Sequence, residues 1–449
     1  PGLGEDEVAF QTVRGMKDIL PDEVGQWQLV EALARDFFPR FGYQELRLPL
    51  LEKTELFVRG IGQTTDVVEK EMYTLTDISG DSLSLRPEAT AQICRAFVEH
   101  SIHKQEPVWK VFTIGPMFRH ERPQKGRYRQ FHQINCEVIG PGEGEADAEL
   151  IAMLIGFLEQ CRTGRLAIRI NSLGCPRCRP AYRAKLIDFL KDRRGELCPD
   201  CRRRLEANPL RVLDCKQPGC AEIVAQAPAS ADNLCPECAS SFVLVRERLA
   251  LLEIEAVLDH RLVRGLDYYV GTTFEVVSDK LGGQDAVAGG GRYDGLIQAL
   301  GGPDVPGTGF AIGLERLLLL AEMEGRDQRP AVFIGVVGGE RAREFGVEVA
   351  HKLRLTGQAR VLMDLAPRSL KAQLRAADKV GALGFFFTGD EELASGRAVL
   401  RNLRSGEEVS VSTQTAAASA ADISAALNGP WGQGVAPGPR EDGEGKGDR

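Results

Sequence analysis

The sequence predicts an α+β core, an antiparallel sheet carrying helices, interrupted by a Cys-rich insertion and followed by a C-terminal α/β domain. Three observations carry that prediction. Residues 107–117 and 131–140 alternate or run apolar on either side of a basic loop, the pattern of two antiparallel strands. Eight of the 11 cysteines fall between Asn171 and about Leu258, where the texture of the chain changes. From about Pro330, strand and helix patterns alternate in an order that favours a mostly parallel sheet flanked by helices. The expected divisions are 1–170 with 259–325 for the core, 171–258 for the insertion, 330–413 for the last domain and 414–449 for a flexible tail.

A length of 449 residues suits about three domains, and a hydrophobic share of 43% is ample for real cores. The formal net charge of -8 supplies no global positive field for nucleic acid, so any such binding must rest on local patches. Residues 1–8 are acidic and lack the basic-then-apolar order of a signal peptide, and no stretch reaches the length of a membrane span. A cytoplasmic location without membrane association is therefore expected. In a reducing compartment, clustered cysteines point to metal rather than to a disulfide framework.

Asp22 is placed to cap a helix that carries Trp27, Val30, Ala34 and Phe37 on one face and ends near Gly42. Residues 44–51 have strand character but contain Pro49, which belongs at an edge or a subunit contact. A hairpin of 72–75 and 82–85 turns at Gly80-Asp81 and leads to Glu88, where a strand gives way to a helix reaching about His100. A carboxylate there can receive a ligand ammonium group, or simply complement the helix dipole. Residues 118–129 hold five basic side chains and one acidic one. A strand end would fix Arg119 while 122–129 projects as a mobile cationic finger, which suits phosphate contacts; a solvated charged hairpin is the bland alternative.

A glycine-rich acidic stretch, 140–148, leads to an apolar helix over 148–161 and a strand near 166–170. The insertion then supplies three C-x-x-C pairs, Cys175/Cys178, Cys198/Cys201 and Cys235/Cys238, besides Cys215/Cys220. Each pair can offer two thiolates to one tetrahedral ion, so the spacing predicts structural zinc, with reduced metal-free thiols as the competing reading. A strand over 272–277 is followed by the glycine cluster 288–295, with Arg292 and Tyr293 beside it, and by 307–316, a glycine-rich strand feeding a helix with Arg316 in its opening turn. Arg119, Arg264 and Arg316 each stand at an element boundary, an arrangement that suits a triphosphate. Beyond Pro330 the strands fall at 331–337, 360–363 and 384–388, the helices at 340–355 and 369–380, and a hairpin runs to Ser412; from Gly429 the composition predicts disorder.

The chain resembles the bacterial histidyl-tRNA synthetases of class II from about Gln11 to about Ser412. Residues 46–51, 118–133 and 309–316 resemble motifs 1, 2 and 3 of that class, and 262–269 and 290–294 resemble the two histidine-recognition motifs of the family. The resemblance implies that Arg119 and Arg264 are the catalytic cations at the ATP α-phosphate, with Arg119 also on the histidine carboxylate, and that Arg316 binds the far end of the triphosphate. It implies that Glu88, Ala89 and Thr90 take the α-amino group with Tyr293 near it, that Gln133 lies near the carboxylate, and that Glu137, Tyr268 and Tyr269 line the imidazole pocket. Gln124, Arg127 and Arg129 would meet the tRNA acceptor end. It further implies ATP with Mg2+, tRNA(His) as partner, a homodimer and a C-terminal anticodon-binding domain. Two positions depart from the pattern: Ala89 stands where glycine is common, and Gly271 where arginine is.

Fixed guanidinium groups can stabilise charge building on an α-phosphate without waiting for solvent to reorganise. A pocket offering an acceptor such as Glu137 and hydroxyls such as that of Tyr269 can pair both nitrogens of an imidazole and leave other amino acids' partners unsatisfied. Two rival classes remain: a catalytically silent regulatory relative of this synthetase, and a zinc-dependent nucleic-acid-binding module. The first generally lacks the C-terminal domain and parts of the histidine-specific motifs, and the second leaves Glu88, Arg264 and Arg316 without a purpose.

Overall fold

The computed structural model describes residues 10–142, 144–282, 285–323, 329–429 and 431. They form two compact units, the first running to residue 323 and the second beginning at residue 329.

In the first unit, α1 (Val24–Phe37) buries Val30, Ala34 and Phe37, the face its periodicity predicts. Its N-cap is Glu23 without a side-chain bond, so Asp22 does not cap it. A single 3-10 turn, Phe38–Phe41, closes on Gly42. The strand expected over 44–51 is two short strands in different sheets, β1 (Gln44–Glu45) and β2 (Leu51–Lys53). Pro49 lies between them; it has no N–H to offer a ladder, and its carbonyl accepts from Gln92 Nε2 at 2.9 Å. After α2 (Thr54–Ile61), β3 (Thr74–Thr76) and β4 (Ser82–Leu85) form the expected hairpin, and β4 pairs with β2 on its other edge. Next come α3 (Thr90–Glu99), β5 (Trp109–Phe118), β6 (Gln130–Ile139), α4 (Gly144–Gln160) and β7 (Ala167–Ser172). The insertion contributes α5 (Arg179–Lys191), α6 (Pro199–Ala207), α7 (Pro218–Val224) and α8 (Pro236–Leu251) before β8 (Ala256–Leu258). The unit closes with β9 (Val270–Val277), β10 (Ala286–Arg292), α9 (Leu296–Ala299), β11 (Gly307–Gly313) and α10 (Leu314–Leu318).

Eight described strands make the main sheet in the order β1-β5-β6-β11-β10-β9-β7-β8. Its interior pairings are antiparallel, and only the outer pairs β1 with β5 and β7 with β8 are parallel. Helices cover both faces. One core joins Phe38, Phe112, Phe157, Phe274 and Phe310 to residues of α1, α4 and α8. The other joins Phe57, Ile93 and Phe97 of α2 and α3 to Leu186, Leu190 and Leu205 of the insertion. Residues 171–258 thus share both cores with the sheet, within one compact unit, rather than standing apart as a domain.

In the second unit, β12 (Ala331–Val337), α11 (Glu340–Leu355), β13 (Arg360–Met363), α12 (Leu370–Lys379) and β14 (Gly384–Gly389) alternate as predicted. After α13 (Asp390–Ser395), the hairpin β15 (Arg397–Asn402) and β16 (Glu408–Ser412) completes a sheet in the order β13-β12-β14-β15-β16, parallel across its first three strands. The tail expected from 414 is instead a helix over its first part. α14 (Ala416–Asn428) is capped by Thr415 and buries Ala416, Ala420, Ile423 and Leu427 beside Val349 and Leu353. Trp431 is buried in the same core, and the rest of that expected tail beyond Gly429 lies outside the described residues.

Candidate active site

Strand alternation builds the floor of the site. Gln133, Asn135 and Glu137 are spaced by two along β6 and so share one face of the sheet. They line a cavity of about 200 Å³ together with Glu88, Thr90, Arg119, Arg264, Tyr268, Tyr269 and Tyr293. The neighbouring strand leaves the space: a Cβ on Gly309, which faces Glu137 in register, would fall on Glu137 Oε2. A Cβ on Gly289 would press the Arg264 guanidinium at 2.6 Å, so the glycine cluster is a strand shaped around side chains of the site.

Glu88 holds two positions at once. Its carboxylate caps α3, accepting from Thr90 N at 2.7 Å and Ala91 N at 2.9 Å, while lining the cavity. The helix-dipole role read from its sequence position is therefore present, and the same carboxylate is open to the cavity. Burial pushes its pKa up, against these hydrogen bonds. Ala89 has φ -106, an ordinary right-handed conformation, so glycine is not required there. Thr90 Oγ1 donates to Glu137 Oε1 at 2.7 Å. Burial pushes Glu137 up to about 8, although the Thr90 and Tyr293 hydroxyls lower it. Tyr293 lies near enough to act on that charge, yet neither its hydroxyl nor Glu137 Oε2 has a hydrogen-bond partner of good geometry. Gln133 Oε1, Asn135 Oδ1 and Arg264 Nε are also buried and unpaired. Buried polar atoms are costly without partners, so five of them around one cavity define a polar ligand site.

The cations are held differently from one another. Arg264 forms an ion pair with Glu275 of β9 and lies 5.7 Å from the Tyr269 ring centroid. Burial opposes its charge, but Glu275 together with Tyr269 and Tyr268 more than offsets that and raises its pKa. Arg119 donates from Nε to the Pro87 carbonyl at 2.9 Å and lies 5.5 Å from the Phe131 ring centroid. Arg316, on α10, is fastened to the Ala286 carbonyl at 2.6 Å and does not line the cavity. The basic loop is not a free finger. Arg127 pairs with Glu121, Arg129 N donates to Gly15 O at 2.7 Å, and Gln124 bridges to Arg127 while remaining exposed. Arg292, beside the glycine cluster, is buried and pairs with Asp147 at 3.0 Å, which makes it part of the scaffold.

The eight insertion cysteines gather into two groups, Cys175/Cys178/Cys235/Cys238 and Cys198/Cys201/Cys215/Cys220, the sulfurs of each lying within 4.8 Å of one another. Val67 and Asn135 line the cavity without standing out in the sequence; the period-two spacing from Gln133 to Glu137 is the signal for Asn135.

A mostly antiparallel sheet with helices on both faces and arginines around a polar cavity is the arrangement of a class II aminoacyl-tRNA synthetase, the class to which the following matches assign the chain. The histidyl-tRNA synthetase family profile matches residues 15–178 and 220–317, and the anticodon-binding domain profile matches 331–421. Relatives named histidine–tRNA ligase include one from Syntrophotalea carbinolica, 48% identical over 89% of this chain and 96% of its own. Another, from Nitratidesulfovibrio vulgaris strain Hildenborough, is 51% identical over 90% of this chain and 97% of its own. The solved apo histidyl-tRNA synthetase of Staphylococcus aureus superposes with a TM-score of 0.75 at 32% identity, over 90% of this chain and 97% of that one. The chain belongs to the histidyl-tRNA synthetase family.

Proposed function

We propose that the chain is a histidine–tRNA ligase that activates L-histidine with ATP and transfers it to the 3′-terminal adenosine of tRNA(His). The single observation behind this reading is the set of unpaired buried polar atoms facing one amino-acid-sized cavity, with Arg119 and Arg264 at its wall. Glu88 and Thr90 receive the substrate ammonium with Tyr293 near it, Gln133 lies toward the carboxylate, and Glu137, Tyr268 and Tyr269 surround the ring. The carboxylate oxygen attacks the α-phosphorus, the bond to pyrophosphate breaks, and Arg119 and Arg264 offset the charge on the nonbridging oxygens. A ribose hydroxyl of the tRNA then attacks the acyl carbon and releases AMP.

Arg264 must leave Glu275, or share it, to reach a phosphate, so triphosphate binding competes with that ion pair. Arg316 serves the far phosphates, and Mg2+ accompanies ATP as its counter-ion. Gln124, Arg127 and Arg129 face the acceptor end, and the second unit takes the anticodon. The cysteine groups hold structural zinc. The chain works as a cytoplasmic homodimer through the face around β2 and β3, where Leu50, Leu51 and Leu75 are 42–44% exposed. No described helix is long and apolar enough to cross a membrane.

The test is histidine-dependent ATP–pyrophosphate exchange by the parent and by a folded Arg264→Ala variant. Exchange in the parent and a loss of about a hundredfold or more in the variant are expected. A folded, dimeric parent without exchange would overturn the enzyme reading.

A further inference from the structure

The histidine-facing tyrosines belong to a segment with few regular bonds of its own. Residues 264–269 lie between β8 and β9 and form no strand or helix, yet Tyr268 and Tyr269 must stand still to read a ligand. The end of α2 gives one bond, Asp267 N donating to Ile61 O at 3.0 Å, and the insertion gives most of the others. From the side of the first cysteine group, Arg179 Nη2 donates to the Tyr269 carbonyl at 2.6 Å. Leu173 N donates to Gly271 O at 2.8 Å, and Gly271 N returns a bond to Gly174 O at 3.0 Å. Arg179 follows Cys178 directly, and Gly174 precedes Cys175. From the side of the second group, Arg211 Nη1 donates to the Gly265 carbonyl at 3.0 Å, and Asn208 Nδ2 to Asp267 Oδ1 at 2.8 Å. Asn208 ends α6, whose N-cap is Cys198.

Both cysteine groups have the dimensions of a tetrathiolate ion site. Four sulfurs about 2.3 Å from a central ion stand about 3.8 Å apart along each edge of the tetrahedron. Cys175 lies 3.8 Å from both Cys178 and Cys235, Cys178 lies 3.9 Å from Cys238, and Cys198 lies 3.9 Å from Cys215. Disulfides would need sulfurs about 2.05 Å apart, and all eight thiols are free. Backbone N–H groups also point at sulfur: Cys175 N to Cys178 Sγ at 3.3 Å, and Cys198 N to Cys220 Sγ at 3.2 Å. Such bonds favour thiolate, the form a metal binds.

We propose that the insertion is a two-ion scaffold whose tetrathiolate centres grip residues 265–271 from both ends and thereby position Tyr268 and Tyr269 for the amino-acid ligand. The inference rests on the histidine-activating reading of the cavity. The ions take no part in the reaction. They tie together the ends of the segments that carry Arg179, Gly174, Asn208 and Arg211, whose bodies are packed in the core shared with the sheet. Arg179 and Asn208 are positioning residues, acting on the ligand through the segment they hold.

The experiment measures metal content and exchange kinetics of the full chain and four variants, Cys235→Ser, Cys215→Ser, Arg179→Ala and Asn208→Ala. The parent should carry two ions per chain, one for each group, and cobalt in their place should give the absorption of tetrahedral thiolate coordination. Either cysteine variant should lose one ion and raise the histidine KM by about tenfold or more, with the ATP KM held within about twofold. Arg179→Ala and Asn208→Ala should keep both ions yet show the same histidine-selective rise, and they decide the matter if a cysteine variant does not fold. Loss of an ion, or of a brace, with the histidine KM unchanged overturns the positioning role. A metal-free parent with full exchange overturns the ion centres. Failure of the activation reading itself would show separately, as absence of any histidine-dependent exchange in the parent.

Discussion

Glu137 is the residue whose chemistry the cavity changes most. Burial raises its pKa from 4.5 to about 8, so the folded chain retains a proton that the unfolded chain releases across that window. Its contribution to stability is therefore full below about pH 4.5 and is lost as pH rises through about 8. Glu137→Gln should lose less melting temperature than the parent between those limits, which thermal melts across pH would test. A ring N–H donor entering the cavity favours the ionised carboxylate. The parent's histidine KM should accordingly fall as pH rises toward 8, and the Gln variant should flatten that slope. Gly309 offers an independent check on the same carboxylate. Gly309→Ala puts a methyl where Glu137 Oε2 lies, so the histidine KM should rise about tenfold or more in exchange assays while the fold persists.

Elements with local signals were legible, and those assembled from distant parts were not. In the second unit, β12 through β16 followed from alternation and turn residues because each strand announces itself within a few positions. α14 did carry a signal, Thr415 as cap and Ala416, Ala420, Ile423 and Leu427 at helical spacing, but its alanine-rich composition resembled a linker. Ending the chain after Gln414 should strip the second unit of much of its stability, read by denaturant unfolding, since Ile423 and Leu427 leave Val349 and Leu353 uncovered. In the site, motif residues such as Glu88 and Tyr269 could be read because they sit in compact runs. The role of Arg292 could not, because its partner Asp147 lies 145 residues away in sequence. That pair is nearly solvent-free, with side chains 5% and 0% exposed. Asp147→Ala should destabilise the first unit by about 3 kcal/mol or more, measured in urea, by leaving a buried guanidinium short of one partner.

At the scale of the whole molecule, an acidic chain must bind an anionic tRNA through few basic places. Affinity for tRNA should therefore fall steeply with salt, because each phosphate contact releases counter-ions, and a flat response in filter binding would contradict the assignment of Arg127 and Arg129. The order of strands in the main sheet bears on how the chain is made. β6 is central in space, yet its second neighbour, β11, leaves the ribosome only after α4, β7, the whole insertion, β8, β9 and β10. Through that interval one side of β6 remains an open row of N–H and C=O groups, the kind of edge that recruits strands from other nascent chains. The N-terminal half of this polypeptide is thus expected to engage chaperones during synthesis, most of all when elongation slows between the codons for Ile139 and Gly307.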